Sequence, residues 1–246
     1  MAVKKEDRRL LNEIEHGKYL IEHGAGETWN WETPAGKLRW KRRVGMLKEK
    51  LEPGSRVLEL GCGTGYFTRE LVDTGAEITA IDISPDLLGE ARKEIRSSNV
   101  EFRVDNAYEL SFGNGSFDHV IGSSVLHHLE IREALSEMYR VLKPGGQVAF
   151  TEPNMMNPQI ALQKNIPAIK RRMGDSPDET AFFKWQIKRL LRDAGFSSIR
   201  VVPFDFLHPA VPPGLIRTIS WMGKTAEKTP LLRGIAGSLY ITAGKQ

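Results

Sequence analysis

The chain has one cysteine, Cys62, among 246 residues. A single cysteine excludes an intrachain disulfide and suits a reducing compartment. No run of ~18 apolar residues is present, so no transmembrane helix is expected. The opening Met-Ala-Val-Lys-Lys-Glu-Asp-Arg-Arg lacks the apolar stretch of a signal peptide. Internal repeats and low-complexity segments are missing as well. Charge of one sign is only mildly in excess: 35 Lys and Arg stand against 31 Asp and Glu, for a formal net charge of +4. That falls short of a dedicated nucleic-acid binder, and no nucleic-acid partner is expected. Hydrophobic residues at 40% and charged residues at 27% are ordinary for a globular protein with a sizeable core. The simplest expectation is a cytoplasmic protein of one or two domains.

The most informative stretch is Val57-Leu58-Glu59-Leu60-Gly61-Cys62-Gly63-Thr64-Gly65. It reads as a short buried strand breaking into a loop with glycine at every second position. A helical pattern, Tyr66 to Leu71, follows at once. Glycines there permit positive φ and let a ligand approach the backbone closely. The N-terminus of the next helix points free N–H groups at that ligand. Strand, glycine loop and helix together mark a nucleotide site in a doubly wound sheet.

The spacing G-x-G-x-G departs from the dinucleotide fingerprint G-x-G-x-x-G, because Tyr66 stands where the third glycine belongs. Glu59, two positions before Gly61, disfavours a diphosphate and favours a cationic ligand end. Asp82 closes the next strand, Ile78–Asp82, 21 residues after Gly61. That is the right distance for a carboxylate holding ribose hydroxyls. A ligand with a ribose, no phosphate and a positive charge fits S-adenosylmethionine.

Strands are expected at 56–60, 78–82, 100–104, 117–122 and 146–152, and helices at 64–73, 85–96 and 131–141. Alternation of this period implies parallel strands with right-handed crossovers. Before them, residues 5–22 read as a charged helix with Leu10, Leu11 and Ile14 on one face. Thr33-Pro34 caps a basic helix running to about Leu51. Residues 154–177 look irregular or weakly helical. Ser176-Pro177-Asp178-Glu179 reads as a capping box opening a helix that ends at Gly195. Ile199–Phe204 and Gly237–Ala243 are read as the last two strands, separated by an insertion over about 207–236.

With these blocks in view, the chain resembles the class I S-adenosylmethionine-dependent methyltransferases, and among them the type 11 group. The resemblance is carried by Val57–Thr68, Ile78–Ser84, Val104–Leu110, Phe117–Leu129, Ala134–Pro153 and Leu190–Val202. It spans roughly residues 50–204. It implies an α/β fold, a doubly wound, seven-stranded and mostly parallel sheet whose last strand is antiparallel. Residues 1–52 are expected as an N-terminal helical cap and 53–246 as the cofactor-binding domain, with the insertion over about 207–236 forming a lid.

The cofactor-binding residues expected from the motifs and the resemblance are Glu59, Gly61, Cys62, Gly63, Gly65, Tyr66, Asp82, Ile83, Asp105, Asn106, Ala107, Ser123, Ser124 and His128. In the family a carboxylate at the place of Asp105 accepts from the adenine amino group, and Ser123-Ser124 lies against the methionine part. Trp29, Trp31, Arg39 and Trp40 form an aromatic and basic cluster before the core. Trp31 closing over the cofactor and Arg39 pairing with its carboxylate is one reading, and plain helix packing is the other. Asp118, at the start of its strand, reads as structural.

Methyl transfer to S-adenosylmethionine's acceptor needs in-line geometry more than acid–base help. Where a base is needed, His127, His128 and Glu152 are the candidates. The Asp/Asn-Pro-Pro-Tyr signature of adenine and amide methylation is missing, and Cys62 sits in the glycine loop, away from any role as a cytosine-attacking nucleophile. No metal-ligand cluster is visible in the sequence. The expected acceptor is a small molecule or a lipid-like compound. A basic amphipathic helix over 213–228 suits either a membrane surface or a lid packed on the body. A nicotinamide-dependent oxidoreductase and a non-catalytic cofactor-binding or membrane-surface protein are the competing readings.

Overall fold

The computed structural model describes residues 5–28 and 30–246. Helices α1 (Lys5–His23), α2 (Ala25–Thr28) and α3 (Pro34–Lys48) precede β1 (Arg56–Leu60). Then come α4 (Thr68–Leu71), β2 (Glu77–Asp82), α5 (Pro85–Glu94), β3 (Val100–Val104), β4 (Phe117–Ser123), α6 (Ile131–Val141) and β5 (Leu142–Pro153). Helices α7 (Pro158–Asn165), α8 (Pro167–Arg172) and α9 (Lys184–Asp193) lead into β6 (Ser197–Phe204). Finally α10 (Ile216–Ala226) and α11 (Pro230–Arg233) precede β7 (Ser238–Gly244).

Among the described residues, seven strands form one sheet in the order β3-β2-β1-β4-β5-β7-β6. Strands β1 to β5 pair in parallel. Strand β7 runs antiparallel to both β5 and β6. The expected doubly wound sheet with an antiparallel last strand is therefore present. The order reverses between β1 and β4, so the crevice for a ligand lies beyond their C-terminal ends.

Local sequence explains the elements. Val57 to Leu60 are all buried, as a strand covered on both faces requires. Thr33 Oγ1 accepts the Gly36 N–H at 2.9 Å with Pro34 in the first turn of α3. Ser84 and Pro85 start α5 in the same way. Helix α6 buries Ala134, Leu135, Met138 and Val141 at helical spacing. Its face packs with α9 and one side of the sheet, while α3, α4 and α5 cover the other.

Three elements differ from their sequence expectation. The helix over 64–73 is limited to α4 and a short 3-10 turn, Val72–Thr74, because the glycine loop extends to Gly65. The helix from Ser176 begins only at Lys184. Glu179 does accept the Ser176 N–H, but its other oxygen is drawn inward by His127 and Lys164, which closes a turn instead of opening a helix. Residues 158–172 form α7 and α8, started by Asn157 accepting from Gln159 and Ile160. On α1, Leu11 is exposed and departs from the apolar face expected there. Trp29 lies outside the described residues.

Candidate active site

Strand β1 delivers the chain into the glycine loop at the reversal point of the sheet. Gly61, Gly63 and Gly65 have φ of +61°, +54° and +81°. A Cβ on Gly61 would lie 2.4 Å from Val125 Cγ2, so only glycine brings this backbone against the wall of the cavity. Asp82, at the end of β2, ties the loop down: Oδ2 accepts the Gly63 N–H at 2.9 Å and Oδ1 accepts the Ser84 N–H at 2.9 Å. Burial raises the Asp82 carboxyl above its ordinary value, and those two N–H groups hold it back. Each oxygen keeps a lone pair for a ribose hydroxyl.

A cavity of about 600 Å³ opens over these strand ends. It brings together Gly61, Cys62, Gly63, Tyr66, Asp82, Ile83, Asp105, Asn106, Ala107, Ser123, Ser124 and His128, with Trp31 and Arg39 from the N-terminal helices. Glu59 and Gly65 are not part of its lining. Glu59 stands buried behind the loop, and its Oε2 has no hydrogen-bond partner. Burial pushes its carboxyl up to about 7, eased by Thr68 and increased by Asp82. A buried acid with an orphaned oxygen behind a glycine cradle fits a cofactor with a cationic centre. The Cys62 thiol is buried and pushed well above the ordinary thiol value, so it is inert.

Two of these side chains also have partners within the chain. Asp105 Oδ1 accepts the Asn106 N–H and Oδ2 accepts from Ser111, so its carboxylate shapes the turn after β3 at the cavity wall. Arg39 Nε donates to Asp205 Oδ2 at 2.9 Å, the oxygen that also receives Arg43 Nη1. Both guanidinium groups lie over the Trp31 ring. The aromatic and basic cluster is thus organised by Asp205, a residue about 165 positions away that no local pattern reveals. Trp40 instead packs edge-on to Tyr66 and under Arg69. Asp118 accepts the Arg56 N–H and pairs with Lys143, the structural role expected of it.

After β4, Ser124 adopts φ +56° and donates its N–H to the Thr151 carbonyl. This turns the chain so that Glu152 can accept the N–H groups of Val125 and Leu126 on one oxygen. Its other oxygen meets His127 Nδ1 at 2.6 Å. His127 Nε2 lies 3.2 Å from Glu179 Oε1. Burial would depress the His127 ring, but the two carboxylates outweigh it and hold it up at about 9. His127 is therefore an imidazolium at neutral pH, with no free lone pair for a base, and the Glu152 carboxylate is engaged by three donors. His127, His128 and Glu152 all line the cavity, and His128 differs in its partner: its Nδ1 lies 2.9 Å from Glu13 Oε2 without an aligned hydrogen bond.

His127, His128 and Glu179 bring three donor atoms within 4.8 Å of one another, a spacing that could hold a metal ion. The sequence did not show this cluster, because Glu179 is some 50 residues from the two histidines. Glu179 Oε1 already contacts the Lys164 ammonium, which also pairs with Asp175. Despite burial, the carboxyl of Glu179 is pulled well below its ordinary range by His128, His127 and Lys164. The arrangement is a chain of alternating charges, Glu152–His127–Glu179–Lys164–Asp175, in which two cations hold the place of an ion.

Comparison with known proteins agrees with this geometry. A methyltransferase-domain family model matches residues 58–150. A demethylmenaquinone methyltransferase of Staphylococcus aureus is 31% identical over 188 residues, 67% of this chain and 77% of that one. An uncharacterized methyltransferase-like protein of Schizosaccharomyces pombe is 31% identical over 157 residues, 63% of this chain; the match spans 59% of that relative's length. Among solved structures, a methyltransferase of Thermotoga maritima, described as a possible histamine N-methyltransferase, aligns with a TM-score of 0.69 at 20% identity over 94% of this chain and 98% of its own. Structures of this fold have been solved with S-adenosyl-L-methionine and with S-adenosyl-l-homocysteine.

The chain belongs to the class I S-adenosylmethionine-dependent methyltransferases. Its cofactor is S-adenosylmethionine, and the nicotinamide reading is set aside.

Proposed function

We propose that this methyltransferase acts on a small-molecule or lipid-like acceptor held in the part of the cavity farthest from Asp82. The observation that carries the reading is continuity: one cavity runs from Gly61 and Asp82 to Ile160, Met173, Phe206 and Leu207. Those apolar side chains are interspersed there with polar and charged ones, Gln159, Gln163, His208 and the paired Lys164, Asp175 and Glu179. Such a mixture suits an amphiphilic or aromatic compound better than a polypeptide or a nucleic acid. Demethylmenaquinone methyltransferases among the relatives are consistent with an acceptor of that character.

The bound cofactor supplies an activated methyl group on a sulfonium. The chain has to align the acceptor with the methyl–sulfur bond, a service worth ~7–11 kcal/mol. Asp82 orients the ribose, the Gly61–Gly63 backbone fits the methionine end, and Asp105, Asn106 and Ala107 frame the base. Residues 1–52 act as the cap and 207–236 as the lid. In support, Gly17 of α1 packs so closely on α5 that a Cβ would meet Ser84 Oγ at 2.5 Å. The Thr33 hydroxyl donates to the Pro209 carbonyl, joining the cap to the insertion. Where the acceptor must lose a proton, His128 backed by Glu13 is the base, since His127 and Glu152 are committed to each other.

The test is transfer of labelled methyl from S-adenosylmethionine into a cell extract, fractionated by solubility. Label in the small-molecule or lipid fraction, lost with Asp82→Ala, supports the proposal. Label confined to protein or nucleic acid overturns it.

A further inference from the structure

The structure points to an anionic lipid bilayer as the partner of the face built by residues 154–174 and 206–236. These two segments hold eight of the chain's 35 Lys and Arg but only one of its 31 Asp and Glu. The single acid, Glu227, turns inward to a bidentate pair with Arg42, at 2.7 and 2.6 Å. The remainder of the chain carries more acids than bases, so positive charge is segregated onto these segments. Arg171, Arg172, Arg217, Lys224 and Lys228 are all exposed.

Apolar side chains are exposed on the same segments. Trp221 is 68% exposed and Leu231 89%, with Leu162, Leu215, Met222 and Leu232 half or more exposed. Helix α10 buries Gly223 alone, where a Cβ would lie 3.1 Å from Phe206 Cβ. A helix whose one buried residue is a glycine, with Trp221 and Met222 exposed and Ile216 and Ile219 half-buried, has left apolar surface for another partner. Tryptophan, leucine and interspersed lysine and arginine on one face are what an interfacial helix presents to lipid. The two segments are contiguous: Met156 shares a shallow cavity with Pro230 and Arg233, and the Gln159 side-chain amide meets the His208 ring at 2.7 Å. A soluble protein partner would call for mixed charge on this face, whereas the near absence of acid matches the surface potential of an anionic leaflet.

The inner sides of the same segments line the far end of the cavity through Ile160, Met173, Phe206 and Leu207. Docking would therefore place that end next to the bilayer, where a membrane-dissolved acceptor passes in without crossing water. This consequence rests on the acceptor reading above; the docking surface does not.

Flotation with vesicles of phosphatidylglycerol and phosphatidylcholine, and of phosphatidylcholine alone, tests the proposal on the full chain. The expected result is about tenfold more protein bound to the anionic vesicles, weakened at high ionic strength. The exposed-site variant Trp221→Glu/Leu231→Glu/Leu232→Glu should stay in solution while binding S-adenosylmethionine like wild type by calorimetry. Arg171→Ser/Arg172→Ser should lose most of the anionic preference. Equal flotation of wild type and the triple variant, or flotation with neither vesicle, overturns the proposal. So does a dimeric mass by light scattering that the triple variant returns to monomer, since the occupant is then a second copy. Binding without methylated lipid or small molecule in the extract defeats the acceptor reading and leaves the surface standing.

Discussion

The Glu152 carboxylate closes on His127 Nδ1 at 2.6 Å while holding the backbone N–H groups of Val125 and Leu126. One side chain at the end of β5 thereby fixes the loop after β4, the loop that forms one wall of the cavity. A carboxylate with three donors and 1% exposure serves as a fixed anchor.

The pair makes stability depend on pH in a defined direction. The His127 ring is held at about 9 against an ordinary 6.5. Its contribution is complete below about pH 6.5 and is lost as pH rises through 9, because the unfolded chain gives up the proton earlier. Urea midpoints between pH 6 and 10 should fall across that window for wild type. His127→Gln should be less stable at pH 6 and show a flatter profile. A wild-type midpoint that rises from pH 7 to 9.5 would contradict the imidazolium assignment.

Asp82→Ala removes the acceptor of the Gly63 N–H and, with it, the carboxylate proposed to hold the ribose. S-adenosylmethionine affinity should drop by roughly 100-fold, about 2.7 kcal/mol. Asp82→Asn keeps an acceptor oxygen for one of the two N–H groups and should lie between. Calorimetric titration of both variants checks the order, and an Asp82→Ala affinity within a factor of two of wild type would remove Asp82 from the cofactor site.

How much of this was legible in the sequence follows from the range of each interaction. Val57–Gly65, Asp82 and the alternating elements were readable because their signals are local: strand burial, positive-φ glycine and Ser84-Pro85 capping lie within a few residues. Thr33-Pro34 announced α3 for the same reason. The charge chain was not readable, since His127, Glu152, Lys164, Asp175 and Glu179 come from separate segments whose meeting only the fold decides. Ser176–Glu179 misled because a capping pattern competes with a tertiary ion pair, and the ion pair prevails. Arg39 lines the cavity and is bonded to Asp205, for which nothing nearby in sequence is a clue.

Glu59 should trade stability for binding. Its carboxyl is pushed up to about 7 against an ordinary 4.5. The folded state is therefore penalised progressively above about pH 4.5, with the full penalty reached above 7. Glu59→Gln removes that penalty, and the cofactor-free protein should melt at higher temperature than wild type at pH 8. The same change removes the negative charge behind the glycine cradle and should weaken S-adenosylmethionine about tenfold. Thermal melts with and without cofactor separate the two effects; a variant that melts lower than wild type without cofactor would show that the acid is internally compensated.

Asp205 offers the sharpest stability test, because three constraints meet in it. It holds φ +74°, which asparagine tolerates almost as well as aspartate. Its carboxylate neutralises Arg43, whose guanidinium is buried and brought down by that burial to about 10. Its carbonyl accepts the Gly237 N–H, just ahead of β7. Asp205→Asn keeps the volume, the backbone preference and the main-chain bond, and removes the charge and one of the two acceptor oxygens, which serve the Leu207 N–H and the two guanidinium groups. Arg43 and Arg39 then face each other over Trp31 without a counter-ion, and the loss should be about 3–5 kcal/mol in urea unfolding. Arg43→Met added to Asp205→Asn should restore much of it, since the uncompensated buried charge goes with the arginine. If the double variant is no more stable than Asp205→Asn, the cost lies in the backbone turn and not in the charge.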